Sequence, residues 1–205
     1  NHDAKVAIAR MAADFVEPKQ TIALDIGTTV FELADQIKDN PVRIFTSSLR
    51  IAALLGASRA RVYTPGGEVQ GTEPSIVGAR AVEDLGQLYF DIAFIGVSGV
   101  SVDGFFDYSL EETDVKRAMI ARAQKTIVVL DNSKFDRLSV AKVTELSSVD
   151  TLITNNASYA QPYPDLELEF RDLNGNIVAQ RTFAPETYLA GDVLPGDLMP
   201  EQIPV

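Results

Sequence analysis

The sequence predicts an α/β protein built on a mostly parallel sheet with helices on both faces. Three observations support this fold class. Short apolar runs alternate with stretches of helical periodicity along roughly the first 155 residues, and such alternation builds parallel sheets covered by helices. Glycine and hydroxyl residues directly follow several of the runs, where open parallel sheets bind ligands. A chain of 205 residues with 46% apolar residues is also long enough to bury one core and carry a small appendage.

The first five predicted elements lie between residues 5 and 56. KVAIARMAADFV (5–16) has apolar residues at helical spacing, which predicts a helix. TIALD (21–25) is a short apolar strand, and TVFELADQI (29–37) is an amphipathic helix. VRIFT (42–46) predicts the second strand, and SLRIAALLG (48–56) predicts a helix that a glycine ends.

The next three predicted elements lie between residues 60 and 97. ARVYTP (60–65) predicts a strand that leads into Gly66 and Gly67, a pair that a hairpin alone would also explain. ARAVEDLGQL (79–88) predicts a helix from its apolar spacing. DIAFIGV (91–97) is apolar on both faces and predicts a buried strand.

The last helix and two strands complete this alternating part. SLEETDVKRAMIARAQ (109–124) predicts a strong helix, because Ser109 with Glu112 three residues later is the capping-box pattern. TIVVLD (126–131) and DTLIT (150–154) are short apolar runs and predict the final two buried strands.

Composition excludes several function classes. The chain has no cysteine, which excludes disulfides and thiolate metal sites and suits a reducing, cytoplasmic compartment. The only histidine is His2, so Ser-His and Cys-His nucleophile pairs and most zinc sites are excluded, and we expect no metal and no cofactor. A net charge of −11 opposes contact between this chain and DNA phosphates. No apolar run reaches the roughly 18 residues of a membrane span, and no secretory leader is expected.

Charge and proline content change near residues 155 to 160. Residues 1–155 carry 16 basic and 21 acidic side chains, whereas residues 156–205 carry 2 and 8. Six of the ten prolines also follow residue 160. These shifts predict a domain over residues 1–157 and a C-terminal extension over residues 158–205.

The extension has a hairpin pattern followed by an arm. LELEF (166–170) and IVAQRTF (177–183) flank Asn174 and Gly175, which is a strong hairpin signal. Residues 184–205 are rich in proline and glycine and predict an extended arm that packs on its own subunit or crosses an oligomer. A loosely ordered tail would explain the same composition.

Candidate ligand-binding residues follow five of the predicted strands. Glycine lets the backbone approach a ligand closely, hydroxyl groups add donors, and the free amides at a helix start favour an anion. The lysine in the last group supplies the full positive charge that a phosphate needs. The groups are Asp25, Gly27, Thr28 and Thr29; Thr46, Ser47 and Ser48; Gly66 and Gly67; Gly96, Ser98 and Gly99; and Asp131, Asn132, Ser133 and Lys134.

Each of these groups also has a structural explanation. The turn at residues 27–29 is compatible with a helix cap alone. Glu112 and Lys116 stand four residues apart, as solvated ion pairs on helices do, and Lys134 is compatible with a surface turn. The prediction of a ligand site therefore depends on the coincidence of several strand ends.

Seven motifs follow one another along the chain: LDIGTT, TSSLRIA, GGEV, DIAFIGVSGV, EETDVKRAMI, LDNSKF and VDTLIT. In this order they resemble the effector-binding domain of DeoR-family transcriptional repressors over roughly residues 4 to 155. This resemblance implies a sugar-isomerase-like α/β fold, related to ribose-5-phosphate isomerase and the coenzyme A transferases. It also implies a sensor for phosphorylated metabolites of sugar or polyol catabolism, with operator DNA bound only through an N-terminal winged helix-turn-helix that precedes this domain in the family. FDYSLEE (106–112) resembles the glycerol-3-phosphate repressor subgroup.

Carried over position by position, the resemblance implies an effector site. Residues 27–29 look like the phosphate-binding loop, Asp25 fixes that loop or accepts from a sugar hydroxyl, and Lys134 pairs with the phosphate. Ser47 and Ser48 stand where the family often has an asparagine. The full implied site is Asp25, Gly27, Thr28, Thr29, Ser47, Ser48, Gly67, Gly96, Ser98, Gly99, Glu112, Lys116 and Lys134.

Three functions remain open at this point. A ligand-responsive repressor domain is favoured, and it is expected to be a dimer or tetramer because repressors that read paired half-sites are symmetric. An aldose–ketose phosphate isomerase would use the same cleft with Glu112 or Asp131 as base, but the glycine-rich segment expected in the isomerases is absent after DIAFIGVSGV. A scaffold that has lost ligand binding is the third. No catalytic residue is assigned.

Overall fold

The computed structural model describes residues 2–155, 166–171, 177–183 and 201–204. The chain forms two compact units, Asn1–Asn156 with Met199–Val205, and Ala157–Leu198. The predicted division into residues 1–157 and 158–205 stays a prediction. The last strand of the chain groups with the first unit and not with the rest of the predicted extension.

Five α-helices and fourteen strands occur in the described residues. The helices are α1 (His2–Ala13), α2 (Thr28–Ile37), α3 (Leu49–Leu55), α4 (Ala79–Gly86) and α5 (Leu110–Ala121). The strands are β1 (Thr21–Leu24), β2 (Arg43–Thr46), β3 (Arg61–Tyr63), β4 (Glu68–Gln70), β5 (Ser75–Val77), β6 (Phe90–Gly96), β7 (Gly99–Ser101), β8 (Gly104–Asp107), β9 (Ala123–Val129), β10 (Ala141–Thr144), β11 (Thr151–Thr154), β12 (Leu166–Arg171), β13 (Ile177–Phe183) and β14 (Glu201–Pro204).

The main sheet has seven strands in the order β14-β11-β9-β6-β1-β2-β3. The six strands from β11 to β3 pair in parallel, and β14 pairs antiparallel to β11 at the edge. All six parallel strands were predicted from their apolar runs, so the mostly parallel sheet is confirmed.

Alternate residues of β6 show how helices cover both faces of this sheet. Ile92 and Phe94 are buried in a core that includes residues of α1, α2 and α3. Ala93 and Ile95 are buried in a second core that includes residues of α4 and α5. Successive side chains of a strand point to opposite faces, so the sheet separates two helical layers as predicted.

The sequence did not predict two small antiparallel sheets. Strands β4 and β5 form one, and β10, β8 and β7 form the other. Gly99 lies against the backbone of Arg137, and Gly104 lies against the backbone of Thr144, where any Cβ atom would clash. Strands of three or four residues, two of which begin with glycine, have weak local propensity, so these pairings depend on contacts distant in sequence.

Helix α5 ends earlier than the apolar spacing predicted. It was expected to extend to residue 124, but it ends at Ala121, and β9 begins at Ala123 instead of residue 126. The start is as predicted, since the Ser109 hydroxyl accepts a hydrogen bond from the Glu112 N–H at 3.2 Å.

The second unit contains the predicted hairpin. Strands β12 and β13 pair antiparallel, with Leu166 opposite Phe183. The predicted turn residues Asn174 and Gly175 and most of the predicted arm lie outside the described residues. Among the described residues, no helix combines the length and the apolar character needed to cross a membrane.

Candidate functional site

A cavity of about 380 Å³ opens at the carboxyl ends of three neighbouring strands of the main sheet. Residues 26–30 follow β1, residues 96–98 follow β6, and residues 129–131 follow β9, and each segment lines the cavity. Ligands of open parallel sheets bind at this edge, where helix N-termini converge. The cavity therefore lies where the strand-end motifs predicted a site.

One wall of the cavity is the N-terminus of α2. Gly27 is its N-cap residue, and its φ of 117° is one that residues with a Cβ rarely adopt. Among the residues that the structure describes, no side chain caps this helix. The first N–H groups of a helix lack partners within the helix and carry partial positive charge, so the amides of Thr28, Thr29 and Val30 offer an anion-binding surface.

Two lysines line the cavity together with this helix start. Lys5, from α1, donates from Nζ to Thr28 Oγ1 at 2.7 Å. Lys134 ends a short 3-10 helix (Asn132–Lys134) whose N-cap is Asp131. Burial alone would raise the pKa of Asp131, but hydrogen bonds from Ser133 and the charges of Lys134 and Lys5 lower it. Both ammonium groups are thus near Asp131, in the same part of the cavity.

The floor of the cavity is a buried ion cluster centred on Lys116. The Lys116 side chain is 1% exposed, and its Nζ pairs with the carboxylates of Asp25 and Asp107, the latter at 3.0 Å. It also donates to the Gly96 carbonyl at 3.1 Å, while the Gly96 N–H donates to Asp25 Oδ2 at 3.0 Å. Lys116 is therefore not half of a solvated pair with Glu112. Its pKa is raised, because the charges of Asp25 and Asp107 outweigh the lowering effect of burial.

Two carboxylates share this single ammonium group. Burial raises the pKa of Asp25 to about 6, against the lowering effect of Lys116. Asp25 is 1% exposed, so it positions Lys116 and the Gly96 backbone and does not itself face the cavity.

Another part of the cavity lining is acidic and includes the start of α5. Glu112 is half-buried and accepts from the Ser75 hydroxyl at 3.1 Å. Burial raises its pKa, against the lowering effects of that hydrogen bond and of Lys116. Asp107 and Tyr108 line the same region, and Glu73 reaches it while paired to Arg50 at 2.8 Å.

The structure brings most of the predicted site residues together. The cavity is lined by Gly27, Thr28, Thr29, Gly96, Ser98, Glu112, Lys116 and Lys134, and Asp25 lies directly beneath it. Ser98 is buried and donates from its hydroxyl to the Phe106 carbonyl at 3.1 Å, so it also fixes β8.

Four predicted residues do not line the cavity. Ser48 caps α3 by accepting from the Ile51 N–H at 3.2 Å, and the Ser47 carbonyl accepts from Ile76. Gly67 lies where a Cβ would be 2.5 Å from the Val77 carbonyl, and Gly99 packs on Arg137. Their membership of the site stays a prediction, and the geometry gives them roles in local structure.

Several lining residues were not predicted as ligand contacts. Lys5 reaches the site because α1 packs against α2, a contact that no local motif shows. Asp107 belongs to the FDYSLEE stretch, just before the helix cap, and only its pairing with Lys116 distinguishes it from a capping residue. In the described ranges, no group of His, Asp or Glu residues is arranged to hold a metal ion. The other lining residues not predicted are Gly71, Thr72, Glu73 and Tyr108, and the apolar Ile26, Val30, Val97, Val129 and Leu130.

Comparison with solved structures establishes the fold. Ribose 5-phosphate isomerase from Plasmodium falciparum superimposes with a TM-score of 0.51 at 14% identity, covering 90% of this chain and 79% of that one. The eIF2B beta subunit from Chaetomium thermophilum superimposes with a TM-score of 0.54 at 12% identity, covering 73% and 48%. These likenesses confirm the predicted sugar-isomerase-like fold and, at such identity, nothing beyond the fold.

Curated relatives are transcriptional regulators. An uncharacterized HTH-type transcriptional regulator of Haemophilus influenzae is 35% identical over 151 residues, 73% of this chain and 59% of that protein. The glycerol-3-phosphate regulon repressor of Escherichia coli is 30% identical over 154 residues, 74% and 61%. The repressor GlcR of Bacillus subtilis is 31% identical over 152 residues, 74% and 59%. The chain thus spans about 60% of the length of these relatives.

Family models agree with this comparison. A model described as the DeoR C-terminal sensor domain matches residues 1–156, and a model for a protein of unknown function matches residues 126–205. The first match covers about three quarters of the chain and includes every residue of the cavity. The chain belongs to the family of DeoR C-terminal sensor domains.

Proposed function

We propose that this chain is the effector-sensing part of a cytoplasmic transcriptional repressor, and that its effector is a phosphate monoester of a sugar or polyol. The observation that carries this proposal is the uncapped N-terminus of α2, flanked by Lys5 and Lys134 inside a cavity of about 380 Å³. In a chain of net charge −11, a pocket that gathers two ammonium groups and free helix amides selects an anion.

The phosphate contacts follow from this geometry. The phosphate oxygens accept from the amides and hydroxyls of Thr28 and Thr29, and Lys5 and Lys134 neutralise the phosphate charge. Lys5 already donates to the Thr28 hydroxyl, so the bound phosphate takes a position beside an ammonium group that is in place. Each such charge-assisted hydrogen bond contributes about 1.5–3 kcal/mol.

The effect of the effector on DNA binding depends on how the sensor is joined to a DNA-binding domain. Relatives described as an HTH-type transcriptional regulator and an HTH-type transcriptional repressor are longer than this chain, and we propose that DNA is bound by a helix-turn-helix outside the sensor. Effector binding relieves DNA binding to the extent that the effector prefers one arrangement of the subunits over the other. A dimer or tetramer is proposed because paired half-sites require symmetry.

An isomerase activity is the alternative, and one observation favours it. Glu112 is a carboxylate with a raised pKa in the cavity, which suits a general base. The relatives named as regulators favour the sensor. Turnover of ribose 5-phosphate by the pure protein at about 1 per second, the low end of enzyme rates, would support the isomerase instead.

The proposed function is tested by a thermal-shift screen. The purified protein is heated with a panel of sugar and polyol phosphates and, separately, with the dephosphorylated parent of each. We expect at least one phosphate to raise the melting temperature while its parent has no effect. A panel in which the parents stabilise as well as the phosphates would contradict the proposal.

A further inference from the structure

The cavity has two electrostatically distinct ends. The charges that shift the pKa of Asp131 are Lys134 and Lys5, and Lys5 donates to the Thr28 hydroxyl at the start of α2. The charges that shift the pKa of Glu112 are Lys116, Asp107 and Glu73, next to the start of α5. The two sets share no member. One end of a bound molecule therefore meets two lysines and the single carboxylate of Asp131, a net positive group, and the other end meets a different environment.

The α5 end carries excess negative charge. Glu73 is neutralised by Arg50 at 2.8 Å. The remaining carboxylates, those of Asp25, Asp107 and Glu112, have only Lys116 among them, and Lys116 pairs with the first two. In the part of the chain that the structure describes, no cation lies within ion-pair distance of the Glu112 carboxylate.

Glu112 is also held in place for recognition. Its Oε1 accepts from the Ser75 hydroxyl, and Gly71 lies alongside, where a Cβ would be 3.7 Å from that oxygen. A carboxylate fixed by one donor keeps further acceptor capacity for a ligand hydroxyl or amine. A ligand carboxylate at the same place would meet a like charge in a half-buried site, which costs affinity.

We propose that the end of the effector opposite its phosphate carries hydrogen-bond donors and no second anionic group, and that Glu112 is the residue that recognises this end. This inference rests on the proposed function, because it takes the phosphate to lie at α2. It names a narrower ligand class: phosphorylated polyols and neutral or amino sugars are accepted, and phosphorylated sugar acids are excluded.

Two matched ligand pairs test the inference without any mutation. Sorbitol 6-phosphate is paired with 6-phosphogluconate, and glycerol 3-phosphate with 3-phosphoglycerate. Within each pair the phosphate end is the same and the other end is a hydroxymethyl group or a carboxylate. By titration calorimetry at pH 7.5, we expect the polyol phosphate of a binding pair to bind at least about tenfold more tightly than the acid.

The variant Glu112→Gln then tests whether Glu112 causes the preference for the polyol phosphate over the acid. Glu112→Gln keeps the size of the side chain and its acceptor for Ser75 but removes the charge, so the preference should fall to about threefold or less. Glu111→Gln is the matched control, because Glu111 is an exposed neighbour in the first turn of α5 and does not line the cavity. The control should keep the full preference.

The outcomes separate the two proposals. If an acid binds as tightly as its polyol partner, or if Glu112→Gln keeps the full preference, the inference about the far end is wrong while phosphate sensing stands. If none of the four phosphates binds, the proposed function itself is contradicted for ligands of three and six carbons.

Discussion

Lys116→Met tests the buried ion cluster that supports the cavity. The substitution removes the only ammonium group between Asp25 and Asp107 and leaves both carboxylates buried. Methionine is close to lysine in length and fills most of the vacated volume, so the packing loss is small. The dominant effect is therefore electrostatic.

The magnitude follows from the burial of the three groups. Both side chains of the Lys116–Asp25 pair are 1% exposed, and removing one partner of such a pair costs about 3–5 kcal/mol. Total stabilities of domains are about 5–15 kcal/mol, so this loss is a large share of the free energy of unfolding. The loss should be smaller at pH 5 than at pH 7.5, because protonation of Asp25 at low pH relieves the unpaired charge.

Urea unfolding followed by circular dichroism at both pH values measures this effect. Lys38→Met is the control, since Lys38 is exposed and makes only a surface pair with Asp35, and it should cost less than about 1 kcal/mol. Adding Asp25→Asn to Lys116→Met should recover part of the loss by removing one unpaired charge. A loss below about 1 kcal/mol, or no recovery in the double variant, would refute the reasoning.

Three further predictions concern pH, the phosphate loop and assembly. In the folded protein, burial raises the pKa of Asp25 from 3.8 to about 6. The preference of the folded state for protonated Asp25 therefore adds fully to the free energy of unfolding below pH 3.8, and this contribution is lost as the pH rises through 6. The unfolding free energy of the unmodified protein, relative to Asp25→Asn, should therefore fall by up to about 3 kcal/mol between pH 4 and pH 7.5, and a flat difference would count against the raised pKa. Thr28→Ala with Thr29→Ala should weaken effector binding in calorimetry by about 1.5–3 kcal/mol per lost charge-assisted hydrogen bond without unfolding the domain, and unchanged affinity would remove this loop from the site. Light scattering should report at least twice the chain mass of 22.3 kDa, and a monomer at tens of micromolar would contradict the proposed oligomer.

Local sequence patterns predicted the elements that depend on local properties. The parallel strands are continuous apolar runs, and the loops at residues 27–29 and 96–98 combine residue types that suit a strand end facing a ligand. These features depend on residues adjacent in the chain, so a single sequence shows them.

The remaining site residues depend on contacts distant in sequence. Lys5 reaches Thr28 only because two helices pack together, and Asp107 differs from a capping residue only through its pairing with Lys116. Ser48 shows the converse limit, because a hydroxyl that caps a helix and one that binds a ligand look alike in sequence. The short strands β4, β5, β7, β8 and β10 were missed because their pairing partners, not their residues, make them strands.

The central claim is that a phosphate binds between the start of α2 and the lysines beside it. Titration calorimetry with the best phosphate from the screen and its dephosphorylated parent, on the unmodified protein, Lys134→Met and the control Lys142→Met, tests it most directly. Lys142 is paired with Glu145 and does not line the cavity. We predict that Lys134→Met loses most of the preference for the phosphate, roughly tenfold or more in affinity, while Lys142→Met keeps it. Full preference in Lys134→Met would contradict the account by placing the phosphate elsewhere.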